Sequence, residues 1–146
     1  MSELSRDDIV RCMFEDAHFV TDLGIAFEAA GPGWCETSLA EPPRSLLQQS
    51  GSLHAGVMAT MADHTAGGAI VSQLAHGLGV VSVGFSINFL RPALGPLRCR
   101  GESLRCGKRI GVADATVYAR DDEREERAVA RATVTLAIVP WVPAGC

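Results

Sequence analysis

The run His54-Ala55-Gly56-Val57-Met58-Ala59-Thr60-Met61-Ala62-Asp63-His64-Thr65-Ala66-Gly67-Gly68 carries one carboxylate among small and apolar residues. Burial disfavours the charged form of such a group and moves its pKa upward, so Asp63 needs either compensation or a chemical purpose. Compensation would come from a neighbouring hydroxyl such as Thr60, or from a water-filled notch. The chemical purpose would be that of a general base or a nucleophile. Just upstream, Gln48 and Ser50-Gly51-Ser52 lead into His54-Ala55-Gly56, where a helix is expected to begin. Unpaired backbone N–H groups and the positive end of the helix dipole gather at such an end, and they can polarise a carbonyl and hold the oxyanion of acyl transfer.

Nine residues separate His54 from Asp63. On one α-helix that is about 900° of rotation and about 13.5 Å of rise, so the helix start and Asp63 of one chain cannot act on the same carbonyl. If they share a site, Asp63 must come from a second copy of the helix running antiparallel to the first. That requires a two-fold dimer with two equivalent sites at its interface. Ala59, Thr60, Ala66 and Gly67 are small enough to let another backbone approach, and equally suited to packing under a sheet.

The elements that must position these residues follow from periodicity. Ser5 and Asp8 form a capping arrangement ahead of Ile9, Val10, Met13 and Phe14, which predicts a first helix ending near His18. Gly24–Ala30 and Trp34–Ala40, split by Gly31-Pro32-Gly33, predict a hairpin that Glu41-Pro42-Pro43-Arg44 closes. Residues from Ala55 to Leu74 lack proline and are apolar all round, as in a buried helix. Val81, Val83, Phe85, Ile87 and Phe89 then alternate with Ser82, Gly84, Ser86 and Asn88, which predicts a half-buried strand. Three more strands are expected over Leu97–Cys106, Ile110–Arg120 and Ala128–Val139, with the acidic run Asp121–Glu126 as a solvated hairpin tip. The gaps between them are too short for crossover helices, so these strands should be antiparallel. The expected fold is α+β: one curved antiparallel sheet wrapped around one long buried helix, a single domain over residues 1–146.

Composition narrows the function. With 47% hydrophobic residues the chain can bury a sizeable core, and a net charge of -4 gives no basic footprint for nucleic acid. No stretch approaches the roughly 18 apolar residues of a membrane span, and the expectation is a cytoplasmic protein. The 5 cysteines lack CxxC or Cys/His ligand spacing, so they are expected to be free thiols, with no metal site. P-loop, dinucleotide-binding and serine-elbow motifs are absent from the sequence.

Gln48, His54, Gly56 and Asp63, followed by Phe89-Leu90-Arg91-Pro92, resemble the hot-dog-fold thioesterases of the phenylacetate-pathway (PaaI-like) type. They are also similar to the related 4-hydroxybenzoyl-CoA thioesterases. The resemblance implies hydrolysis of an aryl- or medium-chain acyl-CoA to a free acid and CoA, without metal or cofactor. It also implies a homodimer at minimum, or a homotetramer. By position, Asp63 matches the family carboxylate, acting as nucleophile or as general base for water. The amides around Ala55 and Gly56 match the carbonyl-polarising donors. Gln48 matches the family Asn or Gln that lies near the thioester, or else caps the loop; His54 matches the motif His, whose role is holding that loop. The chain departs from the pattern twice. Ala55 stands where the family has glycine, adding a methyl where the carbonyl should approach. Gly67 stands where many relatives carry a hydroxyl.

Arg91 at a strand end and Lys108-Arg109 at a turn could bind CoA phosphates through charge-assisted hydrogen bonds, or be ordinary solvated charges. His64 and His76 lack partners at ligand spacing and read as packing or surface residues, and Trp34 and Trp141 as core or interface aromatics. Two other functions remain open: a hot-dog hydratase or dehydratase, and a non-catalytic acyl-CoA binding module in which Asp63 only lines a pocket. The His-Phe-Pro-Gly signature of the hydratases is absent, whereas Ala55 is the feature that keeps the binding module open.

Overall fold

The computed structural model describes residues 4–120 and 125–144. Most of the acidic run expected at a hairpin tip, residues 121–124, lies outside them, as does Cys146. Helix α1 (Arg6–Glu15) begins at the anticipated cap: Ser5 accepts from the Asp8 N–H while the Asp8 carboxylate takes the Ser5 N–H. It stops earlier than expected, and Ala17 starts a separate short helix, α2 (His18–Asp22). Strands β1 (Ala26–Gly31) and β2 (Trp34–Leu39) form the predicted hairpin. A 3-10 turn at Arg44–Leu46 leads to α3 (Ala55–Val71), followed by β3 (Leu78–Phe89), β4 (Leu97–Cys106), β5 (Ile110–Arg120) and β6 (Glu126–Pro140).

The six strands make one sheet in the order β1-β2-β4-β5-β6-β3, antiparallel throughout. Helix α3 therefore connects a strand near one edge to the strand at the opposite edge, and the sheet curls around it. This is the hot-dog fold, α+β. The helix comes close because the strands beneath it carry small residues, among them Ala113, Ala115, Ala130 and Ala132, all buried. At Gly101 a Cβ would lie 2.7 Å from the carbonyl oxygen of Thr65, so only glycine lets the two backbones approach this far. Beside it the buried hydroxyls of Thr65 and Thr37 share a hydrogen bond of 2.7 Å, which ties α3 to β2 and fixes the rotation of the helix.

Among the described residues no helix is long and apolar enough to cross a membrane. Cys35, Cys99 and Cys106 are free thiols; burial pushes Cys99 up to about 12, which leaves it unreactive. Cys12 departs from the expectation, because it is disulfide-bonded.

Candidate active site

The first turn of α3 is organised by its cap. His54 has extended backbone, and its Nδ1 accepts the Gly56 N–H at 2.9 Å, while the His54 N–H donates to the Leu46 carbonyl at 2.9 Å. The imidazole is thus engaged in holding the loop. In the preceding loop, Gln48 Nε2 donates to Ser52 Oγ at 2.7 Å, and the Gln48 N–H donates to the Ser52 carbonyl at 2.8 Å. The loop-capping role open to Gln48 is therefore realised in its amide nitrogen. Between this loop, the helix start and the end of β3 opens a cleft of about 560 Å³, whose lining includes Gln48, Ser52, Ala55, Met58, Phe89 and Arg91. Arg91 is anchored at its mouth by Nη1, which donates to the Ala128 carbonyl at 2.7 Å.

Asp63 lies half-buried on the face of α3 that carries Gly56, Ala59 and Thr60, the side the chain's own sheet leaves least covered. Thr60 does not compensate it: the Thr60 hydroxyl donates back to the Gly56 carbonyl at 2.8 Å. The partner is Ser82, whose Oγ donates to Asp63 Oδ1 at 2.5 Å. Simple alternation along β3 puts Ser82 on the face away from Phe85, Ile87 and Phe89. The register of β3 on β6 instead shifts between Ser82 and Gly84. Ser82 pairs with Leu136 and Phe85 with Val134, both buried on the helix side, so the bulge carries Ser82 onto the inner face and Val81 onto the outer one. The mid-strand Gly84 is the signal from which such a bulge could have been read. The small-residue stripe is also shorter than expected. Ala66 and Gly67 are buried within their own chain, and a Cβ on Gly67 would meet Val80, Leu136 and Met13. A second backbone could reach α3 only at or before Asp63.

His64, next to Asp63, turns the other way. Its ring meets Phe14 edge-on with centroids 4.4 Å apart, while Nε2 is enclosed without a partner among the described residues. Burial holds its pKa below the ordinary histidine value, against the opposing pulls of the Asp63 charge and the nearby Met13 backbone. His76 is exposed before β3. Among the described residues no three His, Cys, Asp or Glu side chains gather as a metal ion would need. Lys108 and Arg109 line a hollow at the β4–β5 turn, where the Arg109 carbonyl accepts from Ile138 N–H. Ile138 pairs with Val80, whereas Arg91 follows Phe89, which pairs with Ala130. One chain therefore holds its expected phosphate ligands at opposite ends of the sheet.

Each chain thus carries, apart from one another, a carboxylate steadied by a hydroxyl and an amide-bearing helix start opening into a cleft. A base and an oxyanion partner are what acyl hydrolysis requires. Comparison with known proteins agrees. Residues 50–126 match the family model described as Thioesterase superfamily. The crystal structure of a thioesterase family protein from Silicibacter pomeroyi is similar over 90% of this chain and 96% of that one, at 35% identity and a TM-score of 0.85. A hypothetical thioesterase from Streptococcus pneumoniae, solved with coenzyme A, is 25% identical over 87% of this chain and 97% of its own, with a TM-score of 0.72. The Escherichia coli PaaI protein of the phenylacetic acid degradation operon shares the fold at a TM-score of 0.75 and 24% identity, over 87% of this chain and 88% of its own. The carboxylate on the buried helix, the fold and these matches together make the chain a member of the Thioesterase superfamily, a thioester hydrolase built on the hot-dog fold.

Proposed function

We propose that the protein hydrolyses acyl-CoA thioesters at two equivalent sites of a homodimer formed along β3, each site combining Asp63 and Ser82 of one protomer with the α3 start of the other. The observation that carries this reading is the separation of the two half-sites within one chain, each incomplete alone. Strand β3 is one of the sheet's two edges and, at 12 residues, the longer; β1 at the other edge has 6. It leaves Val81, Val83, Phe85 and Phe89 exposed by 53%, 65%, 47% and 45%. A long, apolar, unpaired strand invites another strand, and a copy of itself is a self-complementary partner. Antiparallel pairing lays the partner's Phe89 end and cleft beside this chain's Leu78–Ser82 end. It also carries the partner's Arg91 to the end that holds this chain's Lys108 and Arg109, so that one CoA could reach all three.

In each site Asp63, oriented by Ser82, either takes a proton from the attacking water or attacks the thioester carbonyl itself, forming an acyl-Asp63 anhydride that water then cleaves to the free acid. The facing helix start binds the oxyanion, and thiolate of CoA leaves. Gly56 N–H is already given to His54, so the Ala55 N–H, which as a first-turn amide has no intrahelical acceptor, is the principal donor. No metal enters this scheme, and CoA belongs to the substrate. The binding of coenzyme A by the Streptococcus pneumoniae relative supports the choice of thiol carrier.

Thiol release from a panel of acyl-CoAs tests the assignment. Asp63→Ala should lower kcat by about a hundredfold or more with the fold retained. Undiminished turnover in that variant would overturn the site.

A further inference from the structure

The β4–β5 turn gathers charge that the rest of the molecule does not answer. Arg11, Arg98, Arg100, Arg127 and Arg131 each meet a carboxylate, whereas Arg105, Lys108 and Arg109 meet none among the described residues. All three are exposed, and in a chain of net charge -4 they make a local positive field aimed at solvent. The turn itself is held still. Gly107 N–H donates to the Ile110 carbonyl at 2.9 Å and Ile138 N–H to the Arg109 carbonyl at 2.8 Å, so Lys108 and Arg109 leave from a fixed backbone. Arg105 reaches the same place by a bulge. Leu97, Cys99 and Gly101 are buried under α3, and plain alternation along β4 would send Arg105 in with them. The register of β4 on β5 shifts between Ser103 and Arg105, which brings Arg105 opposite Val112 on the outer face. Its Nε lies 4.0 Å from the position that a Cβ on Gly107 would take, over the turn.

The three cations border a hollow of about 490 Å³ whose lining also includes Ile110 and Val112. Ile110 is 45% exposed and pairs with Ala137, which pairs with Val81, so an apolar strip runs from the hollow across the outer face to the β3 edge. Apolar surface rimmed by cations suits a nucleotide, whose base needs a face to lie on and whose phosphates need charge-assisted donors. The place is also right. Gly111 shares a row with Leu136 and Ser82, so the turn begins about 10 Å across the sheet from the hydroxyl that holds Asp63, within reach of a pantetheine arm passing round the sheet's end. Resting on the acyl-CoA reading above, we infer that this hollow seats the nucleotide of CoA: Arg105, Lys108 and Arg109 take its phosphates, and the Ile110–Val112 surface takes the adenine. The protein thereby selects its carrier, favouring CoA thioesters over thioesters of the bare pantetheine arm.

Calorimetry with adenosine 3′,5′-bisphosphate, the nucleotide end of CoA, reads the seat without turnover. Arg105→Gln together with Lys108→Gln should weaken its binding about tenfold, whereas Arg11→Gln, which removes a paired cation elsewhere, should not. Ile110→Ser should weaken the bisphosphate more than it weakens inorganic pyrophosphate. Unchanged bisphosphate affinity in the double variant, or pyrophosphate bound by the native protein as tightly as the bisphosphate, would overturn the assignment. Kinetics give a second readout. The double variant should raise KM for benzoyl-CoA about tenfold with kcat kept, and leave hydrolysis of S-benzoyl-pantetheine unchanged. Equal losses on the two substrates reject the seat. Bisphosphate binding that weakens in the double variant, in a protein that releases no thiol from any acyl-CoA, keeps the seat and rejects the hydrolase reading.

Discussion

At the scale of single residues, the chemistry turns on how one acid is held. The Ser82–Asp63 hydrogen bond has a charged acceptor, a class of interaction that contributes about 1.5–3 kcal/mol, and 1.4 kcal/mol is about a factor of ten. If the bond orients Asp63 for attack, Ser82→Ala should lower kcat by roughly ten- to a hundredfold with KM nearly unchanged. Steady-state kinetics showing KM alone to move would assign Ser82 to substrate binding instead. Asp63 stood out in the sequence as a lone carboxylate in an apolar stretch, whereas Gln48 and His54 drew attention only through the resemblance to the thioesterases. Ser82 was not legible there, because its position depends on a one-residue bulge that inverts the face of the strand. The bond of Gly56 to His54 was hidden for a similar reason: a cap's side chain can point to several amides, and only the backbone angles choose among them.

Among the elements, the contact of α1 with α3 is the one most exposed to pH. His64 joins the two helices through its ring contact with Phe14, and burial holds its pKa in the folded chain below the ordinary 6.5. The unfolded chain therefore takes up the proton first. Stability should fall as pH drops below about 6.5 and continue falling until the folded-state pKa is passed, after which this group adds no further loss. Urea unfolding between pH 7.5 and 5.5 should show a flatter pH dependence in His64→Phe than in the native protein; parallel curves would assign the acid sensitivity to other groups. The elements themselves were largely readable. β4 and β5 begin and end where their turn residues predict, and α1 carries the cap that Ser5 and Asp8 announce. The break at Asp16–Ala17 was missed because the apolar spacing runs on through Phe19 and Val20 without a proline or glycine to interrupt it.

For the molecule as a whole, the two faces of the sheet differ in what they offer. The outer face is laced with ion pairs: Arg98 reaches Glu126 at 2.7 Å and Glu36 at 3.4 Å, and Arg100 reaches Glu36 and Glu102 at 3.0 Å each. These charges are answered within the chain, whereas the β3 edge and its apolar side chains are not. Val83→Lys together with Phe85→Lys should place like charges along a β3–β3 seam and leave a folded monomer. Sedimentation should then show half the native mass, with thiol release lost alongside; a monomer of full activity would contradict the shared site. Sheet order, and so the identity of the edge strand, was not readable from the chain, because periodicity reports which face is buried but not which strands are neighbours.

The bulge that aims Ser82 belongs to the same strand that would meet the second copy. Whatever loosens the contact between protomers therefore also loosens the grip on the carboxylate. Catalytic output per milligram should accordingly fall as stock solutions are diluted through the dissociation range, and recover on reconcentration. Assays run at a single dilution would mistake that loss for a poor substrate.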